Sequence, residues 1–346
     1  MAKCGMMEVK NCLRRDYYKT GDVKYIDVSY CKTLVPVVRK VEFLDILDTI
    51  GTRAITNRQK LLEQLEVFLK DTSYRAIILD ISLDANTPTS ADSELVSVLL
   101  QLPRIVIADT MKGCKLLDSR LNSIAGSTEY SINASEAGFV KYPLLKDDKR
   151  SLPLLLYEKL TDSRLKHLFG SVYFDGCSLA CGNMFTTLNN RVEKMDTLRL
   201  GENELLPEDY KDNYIVIGAI SEGDEHNSYI GDLSGPEINI NTYFALINGQ
   251  HKISIITILL ILGFYYLLSY SIVRSKWKIT DRMQTSQLWT VRAGGFILSG
   301  LIYKILLIVP FVLNYLLFDQ ILTFTAVAFV FWVINKIVQT NKYIKK

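Results

Sequence analysis

The 346-residue chain has only three histidines, His167, His226 and His251. It contains no GxGxxG, no GxxxxGK followed by Ser or Thr, no HExxH and no GxSxG. These absences remove the usual dinucleotide, nucleotide-phosphate, zinc-protease and serine-hydrolase signatures. Six cysteines (Cys4, Cys12, Cys31, Cys114, Cys177 and Cys181) are scattered without dense spacing. That excludes a small disulfide-scaffolded domain. Cys177 and Cys181 lie four apart, which is neither a CxxC pair nor matched by a second motif. A basic surplus is also missing from most of the chain. The formal net charge is +3, yet ten Lys/Arg fall from Arg274 onward against only Asp281 and Asp319. The preceding part is therefore net acidic, and nucleic acid is not an expected partner. No repeat period is visible, and residues 1–23 hold no apolar targeting segment of about 7–15 residues.

What is present is an alternation of strand and helix patterns. KYIDVSY, from Lys24, reads as a strand. Thr56–Thr72 reads as an amphipathic helix with Leu61, Leu62, Leu65, Phe68 and Leu69 on one face, and Thr56 with Gln59 has capping-box spacing. YRAIILDISLD reads as a buried strand, SADSELVSVLLQL as a helix starting near Ser90 and Asp92, and PRIVIADT as the next strand. SEAGFVKYPLL is expected to end as a strand at Pro143, and SLPLLLYEKL to form a helix capped by Ser151. NYIVIGAI returns as a buried strand. Strands separated by helices predict right-handed crossovers and a mainly parallel α/β sheet.

Three apolar stretches follow: Ile253–Val273, Ile297–Phe318 and Ile321–Val338. About 20 apolar residues are enough to cross a bilayer. The expected organisation is a poorly ordered segment over 1–23, an α/β domain over 24–252, and three transmembrane helices over 253–346. The basic residues flank one side of these stretches, which predicts a cytoplasmic C-terminus and an extracytoplasmic domain in an inner membrane. Export then requires a first span that the N-terminal sequence does not supply.

Ligands of open α/β sheets bind beyond the carboxyl ends of the strands. The residues predicted there are Asp80, Asp84, Asp109, Ser221, Glu222, Asp224 and His226. Grouped carboxylates suit a cationic ligand or a divalent ion. The plainer alternative is a solvated acidic rim with Asp80 capping a neighbouring helix. Gly235-Pro236-Glu237 predicts a stiff turn into a helix whose first turn carries a favourable negative charge. Gly218, Gly235, Pro236, Glu237 and Asn241 are the expected structural coupling residues. No catalytic residue, metal or cofactor is expected.

The order of pieces resembles the CHASE type 2 sensor family (cyclase/histidine-kinase-associated sensing extracellular domain). The resemblance is carried by IILDISL with Asp80, by AGFVKYPLL with Gly138, and above all by IVIGAISEGDEHNSYIGDLSGPEININTYFALING. In the last block Gly218, Ala219, Gly223, Asp224, Gly235, Pro236, Glu237, Ile238, Asn241 and Gly249 occupy matching positions. The family has a span before the domain and an output domain after three spans. Here only QTNKYIKK follows the last apolar stretch. The resemblance implies a non-enzymatic, membrane-anchored sensor of an unknown small ligand or protein, working through a separate cytoplasmic effector, with homodimerisation open. The alternative is an adaptor that recruits such an effector without sensing a ligand.

Overall fold

Hydrophobic residues on both parities of a short strand require cover on both faces of its sheet. The sequences AIILD, IVIA and YIVIG have this character. The computed structural model describes residues 23–41, 46–109, 115–129, 131–132, 140–146, 149–169, 172–176, 178–181, 183–186, 197–202, 207–221, 225–228, 231–253, 259, 262–263, 266 and 286–293. The chain divides into two units. One comprises Met1–Leu165 with Gly182–Gly249, the other Lys166–Cys181 with Gln250–Lys346.

In the first unit, β1 (Val23–Asp27), β2 (Lys32–Val41) and β3 (Ile46–Thr56) lead into α1 (Arg58–Lys70). Next come β4 (Ala76–Asp80), α2 (Asp92–Gln101), β5 (Ile105–Ala108) and β6 (Ala125–Gly126). Further along the unit come α3 (Leu152–Thr161), β7 (Leu198–Arg199), β8 (Tyr214–Gly218) and α4 (Gly235–Ile247). Six strands form one parallel sheet in the order β7-β1-β8-β4-β5-β6. The last long strand, β8, is thus inserted between β1 and β4. β2 and β3 pair only with each other, as a long antiparallel hairpin.

The two core clusters follow the strand alternation. Ile26, Ile77, Leu79, Ile105, Ile107, Ile215 and Ile217 pack with Leu61, Leu65 and Phe68 of α1 and Leu95 and Leu99 of α2. Tyr25, Ile78, Val106 and Val216 pack with Leu152, Leu154 and Leu156 of α3 and Ile240, Tyr243 and Phe244 of α4. Each fully buried large apolar side chain contributes about 1.5–3 kcal/mol from its removal from water. The sheet therefore lies between two helical layers, as a doubly wound fold does.

The helix starts differ in detail from expectation. Asn57, not Thr56, caps α1, its Oδ1 accepting from Gln59 N and Lys60 N at 3.1 Å each. The asparagine wins because it alone stands at the extended residue directly before the first helical turn. α2 begins at Asp92, whose carboxylate accepts from Thr89 N at 2.9 Å and Thr89 Oγ at 2.6 Å. Ser151 caps α3 as expected. The strand expected to end at Pro143 is described as Val140–Pro143.

The second unit holds a four-stranded sheet ordered Leu165–Phe169, Val172–Asp175, Ser178–Cys181 and Lys252–Ile253. Its central hairpin pairs Asp175 with Ser178 across a turn in which Gly176 has φ +60°. A positive φ at that place is what a tight hairpin turn requires.

The expected three transmembrane helices are corrected. Among the described residues, no helix is long and apolar enough to cross a membrane. Hydropathy shows that a stretch tolerates lipid. Crossing also demands one unbroken helix of about 20 residues. Within Ile253–Val273 the described residues beyond Ile253 are Leu259, Leu262, Gly263 and Tyr266, and the other two stretches lie outside the described residues. The membrane localisation and the extracytoplasmic placement rested on those helices and fall with them.

Candidate functional site: the carboxyl edge of the parallel sheet

Register fixes what meets at this edge. Asp27 on β1 and Asp80 on β4 are both paired with Gly218 on β8. Partners in register on parallel strands face the same side, so two aspartates flank a position that has no side chain. Adjacent strands are spaced about 4.8 Å, so their Cα atoms lie roughly 10 Å apart. Pro236 of α4 fills the gap: a Cβ on Gly218 would meet Pro236 Cγ at 2.5 Å and the Asp80 carbonyl oxygen at 3.2 Å. Glycine at 218 is therefore demanded by the approach of α4.

The topology singles out the same place. β4 is followed by α2 on one face, whereas β8 is followed by α4 on the other. Neighbouring strands whose connections leave in opposite directions form the switch point at which α/β proteins bind ligands.

Asp27 is 2% exposed. Its Oδ1 accepts from Ser29 N at 2.9 Å, Ser29 Oγ at 2.6 Å and Ile220 N at 3.0 Å. Burial pushes its pKa up, but hydrogen bonding from Ser221, Ser29 and the Ile220 amide outweighs it, and the carboxyl lies below its usual range. The Ser221 hydroxyl favours the charged form. The second carboxylate oxygen, Oδ2, is buried and has no hydrogen-bond partner among the described residues. The Lys32 amine is pushed down by burial and partly restored by the Asp27 charge.

Asp80 is half-buried. Its Oδ2 accepts from Asn239 Nδ2 at 2.7 Å. Asn239 Oδ1 in turn accepts from Tyr142 OH at 2.5 Å. Asn239 and Tyr142 are both buried. The amide thus ties the end of β4, the middle of α4 and the Val140–Pro143 strand. At the start of α4, buried Glu237 accepts from Ser234 N at 2.7 Å and Ser234 Oγ at 2.9 Å. This is the reciprocal half of a capping box. Burial, and next the Glu237 charge, push the Tyr25 phenol well up, so it stays neutral. Asn241 Nδ2 donates to Glu237 O at 2.8 Å inside the helix.

The other expected site residues divide plainly. Asp84 is buried, and its Oδ1 accepts from Asn86 N at 2.9 Å. That bond shapes the loop that carries Asp84. Asp109 pairs with Lys149 Nζ at 2.7 Å. Ser221 stands beside Asp27. His226 lies opposite Leu233 in the hairpin of Glu225–Ser228 with Gly231–Ser234. Glu222 and Asp224 lie outside the described residues. Among the described residues, no group of three or more His, Cys, Asp or Glu is placed to hold a metal ion.

Asp27, Asn239 and Tyr142 were not expected from sequence. A signal for Asp27 exists: YIDVS on β1 repeats the order of LDIS on β4, an aspartate at the strand end two residues before serine. Asn239 is one of several polar residues, with Glu237, Asn241 and Thr242, on a wholly buried stretch of helix, and nothing in the spacing singles it out. No family model, curated protein or solved structure matches the chain.

Proposed function

We propose that the α/β unit is a non-enzymatic sensory binding module that takes a small organic cation at the carboxyl edge between β1, β8 and β4. Its output would pass to a separate effector protein. The reading keeps the sensory role implied by the CHASE resemblance and leaves aside the membrane anchoring. The observation that carries it is the buried Asp27 carboxylate, charged at neutral pH, with Oδ2 lacking a hydrogen-bond partner among the described residues. A buried charged oxygen left in that state costs free energy that an incoming N–H donor recovers. Asp80 supplies the second anionic wall. Asp109 is less suited, because Lys149 already neutralises it.

Coupling to α4 supports sensing over simple storage. Oδ2 is covered, so a cation reaching it must displace the atoms around it. Asp80 is linked through Asn239 to the body of α4, and Pro236 of that helix sits between the two aspartates. Occupancy at the edge therefore acts on the position of α4, and a ligand that favours one position shifts the population toward it. α4 ends at Asn248 and Gly249, with Gly249 at φ +69°, and the chain enters the second unit at Gln250.

The test is a thermal-shift series with putrescine, agmatine and spermidine, set against neutral and anionic analogues of equal size. Binding to the native state raises the melting temperature by mass action. Stabilisation by the cations alone, lost in Asp27→Asn, is expected. Equal shifts with neutral analogues, or no shift with any cation, would sink the cation-sensing reading. Capture of an effector with no ligand response would favour the adaptor role.

A further inference from the structure

Outside that site, the second unit buries an ionisable cluster that the proposed sensing does not use. His251 Nε2 and Asp175 Oδ2 are 2.6 Å apart, with side-chain exposures of 0% and 1%. Lys252 Nζ lies 3.3 Å from the same oxygen and is about one-third exposed. The cluster joins two segments far apart in sequence. Asp175 ends the Val172–Asp175 strand, and Lys252 opens the Lys252–Ile253 strand. That two-residue strand is held by only two register pairs, Ala180 with Lys252 and Leu179 with Ile253. So short a ladder depends on side-chain contacts for its stability.

We propose that His251 is an acid-sensitive latch: neutral, it holds the Lys252–Ile253 strand to the Asp175 hairpin, and protonated, it loosens that strand. The reason is electrostatic crowding. At neutral pH the imidazole donates Nε2–H to Asp175, and the Lys252 ammonium balances the carboxylate. Adding a proton at Nδ1 sets a fully buried imidazolium beside the Lys252 ammonium on the same carboxylate oxygen. Among the described residues, the charged groups acting on His251 are Asp175 from the hairpin and Lys252, the next residue along the chain. The intervening strand, Ser178–Cys181, carries no carboxylate or amine. Burial leads in disfavouring the imidazolium, Asp175 opposes it through hydrogen bond and charge, and Lys252 adds to the disfavour. The balance lies below the ordinary histidine value of about 6.5.

The sign follows. Between the ordinary value and the lower folded value the unfolded chain binds more protons, so stability falls as pH falls through that window. The latch is closed above it and open below. The geometry does not involve Asp27 or Asp80, so it stands or falls separately from ligand sensing.

The test is amide hydrogen exchange on the full chain at pH 7.5 and pH 5.5, corrected for intrinsic rates. Loss of protection confined to residues 172–181 and 252–253 in acid is expected, with β4 and β8 unchanged. The His251→Gln variant, which keeps a neutral donor, is expected to show no such loss. Unchanged protection in the wild type, or the same acid loss in His251→Gln, would overturn the latch. A second readout needs no variant: NMR titration of the His251 ring in the wild-type chain. An apparent pKa above 6.5 there would also overturn it.

Discussion

Two buried polar junctions of the first unit sit one loop apart and are built on opposite principles. One is centred on Arg58, at the start of α1. Its guanidinium donates to Thr87 O at 2.7 Å, Asp92 Oδ1 at 2.8 Å, Asp92 Oδ2 at 2.9 Å, Asp84 O at 3.0 Å and Thr87 Oγ1 at 3.0 Å. A planar fork suits this task, and here Nη1 and Nη2 lock the loop between β4 and α2. The other is the Asp27–Gly218–Asp80 edge under the start of α4. There a carboxylate is buried with one oxygen unmatched among the described residues. The closed junction stabilises the loop it holds, whereas the incompletely matched one is the feature on which the proposed binding rests. The contrast separates Asp84, whose backbone carbonyl is part of the Arg58 junction, from Asp27, on which the proposed site is centred.

The comparison can be broken from its strongest side first. Arg58→Met removes the hub: the Asp92 carboxylate loses its cation and keeps only the Thr89 donors, and two loop carbonyls lose the guanidinium. A loss of about 3–5 kcal/mol in unfolding free energy is expected by chemical denaturation, the scale for breaking a buried ion pair. A loss under about 1 kcal/mol would mean that the loop is not held as described.

Gly218→Ala comes next. The added Cβ meets the Pro236 ring and the β4 backbone, and overpacking of this kind costs about 1–3 kcal/mol. Because α4 must shift to make room, cation-induced stabilisation should fall in the same variant. Asn239→Leu acts at a similar scale, about 1–3 kcal/mol, by stripping a hydrogen bond from both Asp80 and Tyr142. Denaturation midpoints measured alongside the thermal shift separate the two effects. A variant that loses stability but keeps the full ligand response would detach α4 from sensing.

Asp27→Asn is expected to be milder at neutral pH and diagnostic in acid. The carboxyl pKa of Asp27 is depressed in the folded state, so its stabilising contribution is present above the ordinary value of about 3.9 and lost as pH falls through the lower folded value. Stability against pH below about 4 should therefore be shallower in Asp27→Asn than in the wild type. The smallest effect belongs to Lys149→Ala. Its ammonium is two-thirds exposed, and surface pairs contribute about 0–1 kcal/mol. Freed from Lys149, Asp109 adds negative charge at the edge, so cation binding should strengthen slightly if the cation seat is electrostatic.

Much of the first unit was legible because its signals are local. The β-branched runs at β4, β5 and β8, the leucine spacing of α1 and the Ser151 cap of α3 each depend on neighbouring residues. Strand order was not local: nothing in YIVIG says that it enters between β1 and β4. The site followed the same rule. Asp80 was readable from its strand end, and Gly235-Pro236-Glu237 from turn and dipole chemistry. Asp27 became visible only once register set it opposite Gly218. The bond from Asn239 to Asp80 spans 159 residues, and no spacing rule reaches that far. The transmembrane expectation failed for the complementary reason. It read composition, whereas a span requires a continuous helix, and none of that length and character lies among the described residues.

The most direct measurement is calorimetric titration of spermidine into the wild-type protein and into folded Asp27→Asn and Asp80→Asn variants at neutral pH. The account predicts saturable binding to the wild type, with affinity at least about ten-fold weaker in each variant, since each loses a charged partner worth about 1.5 kcal/mol or more. Equal affinity in all three proteins, or no saturable binding to the wild type, would contradict it.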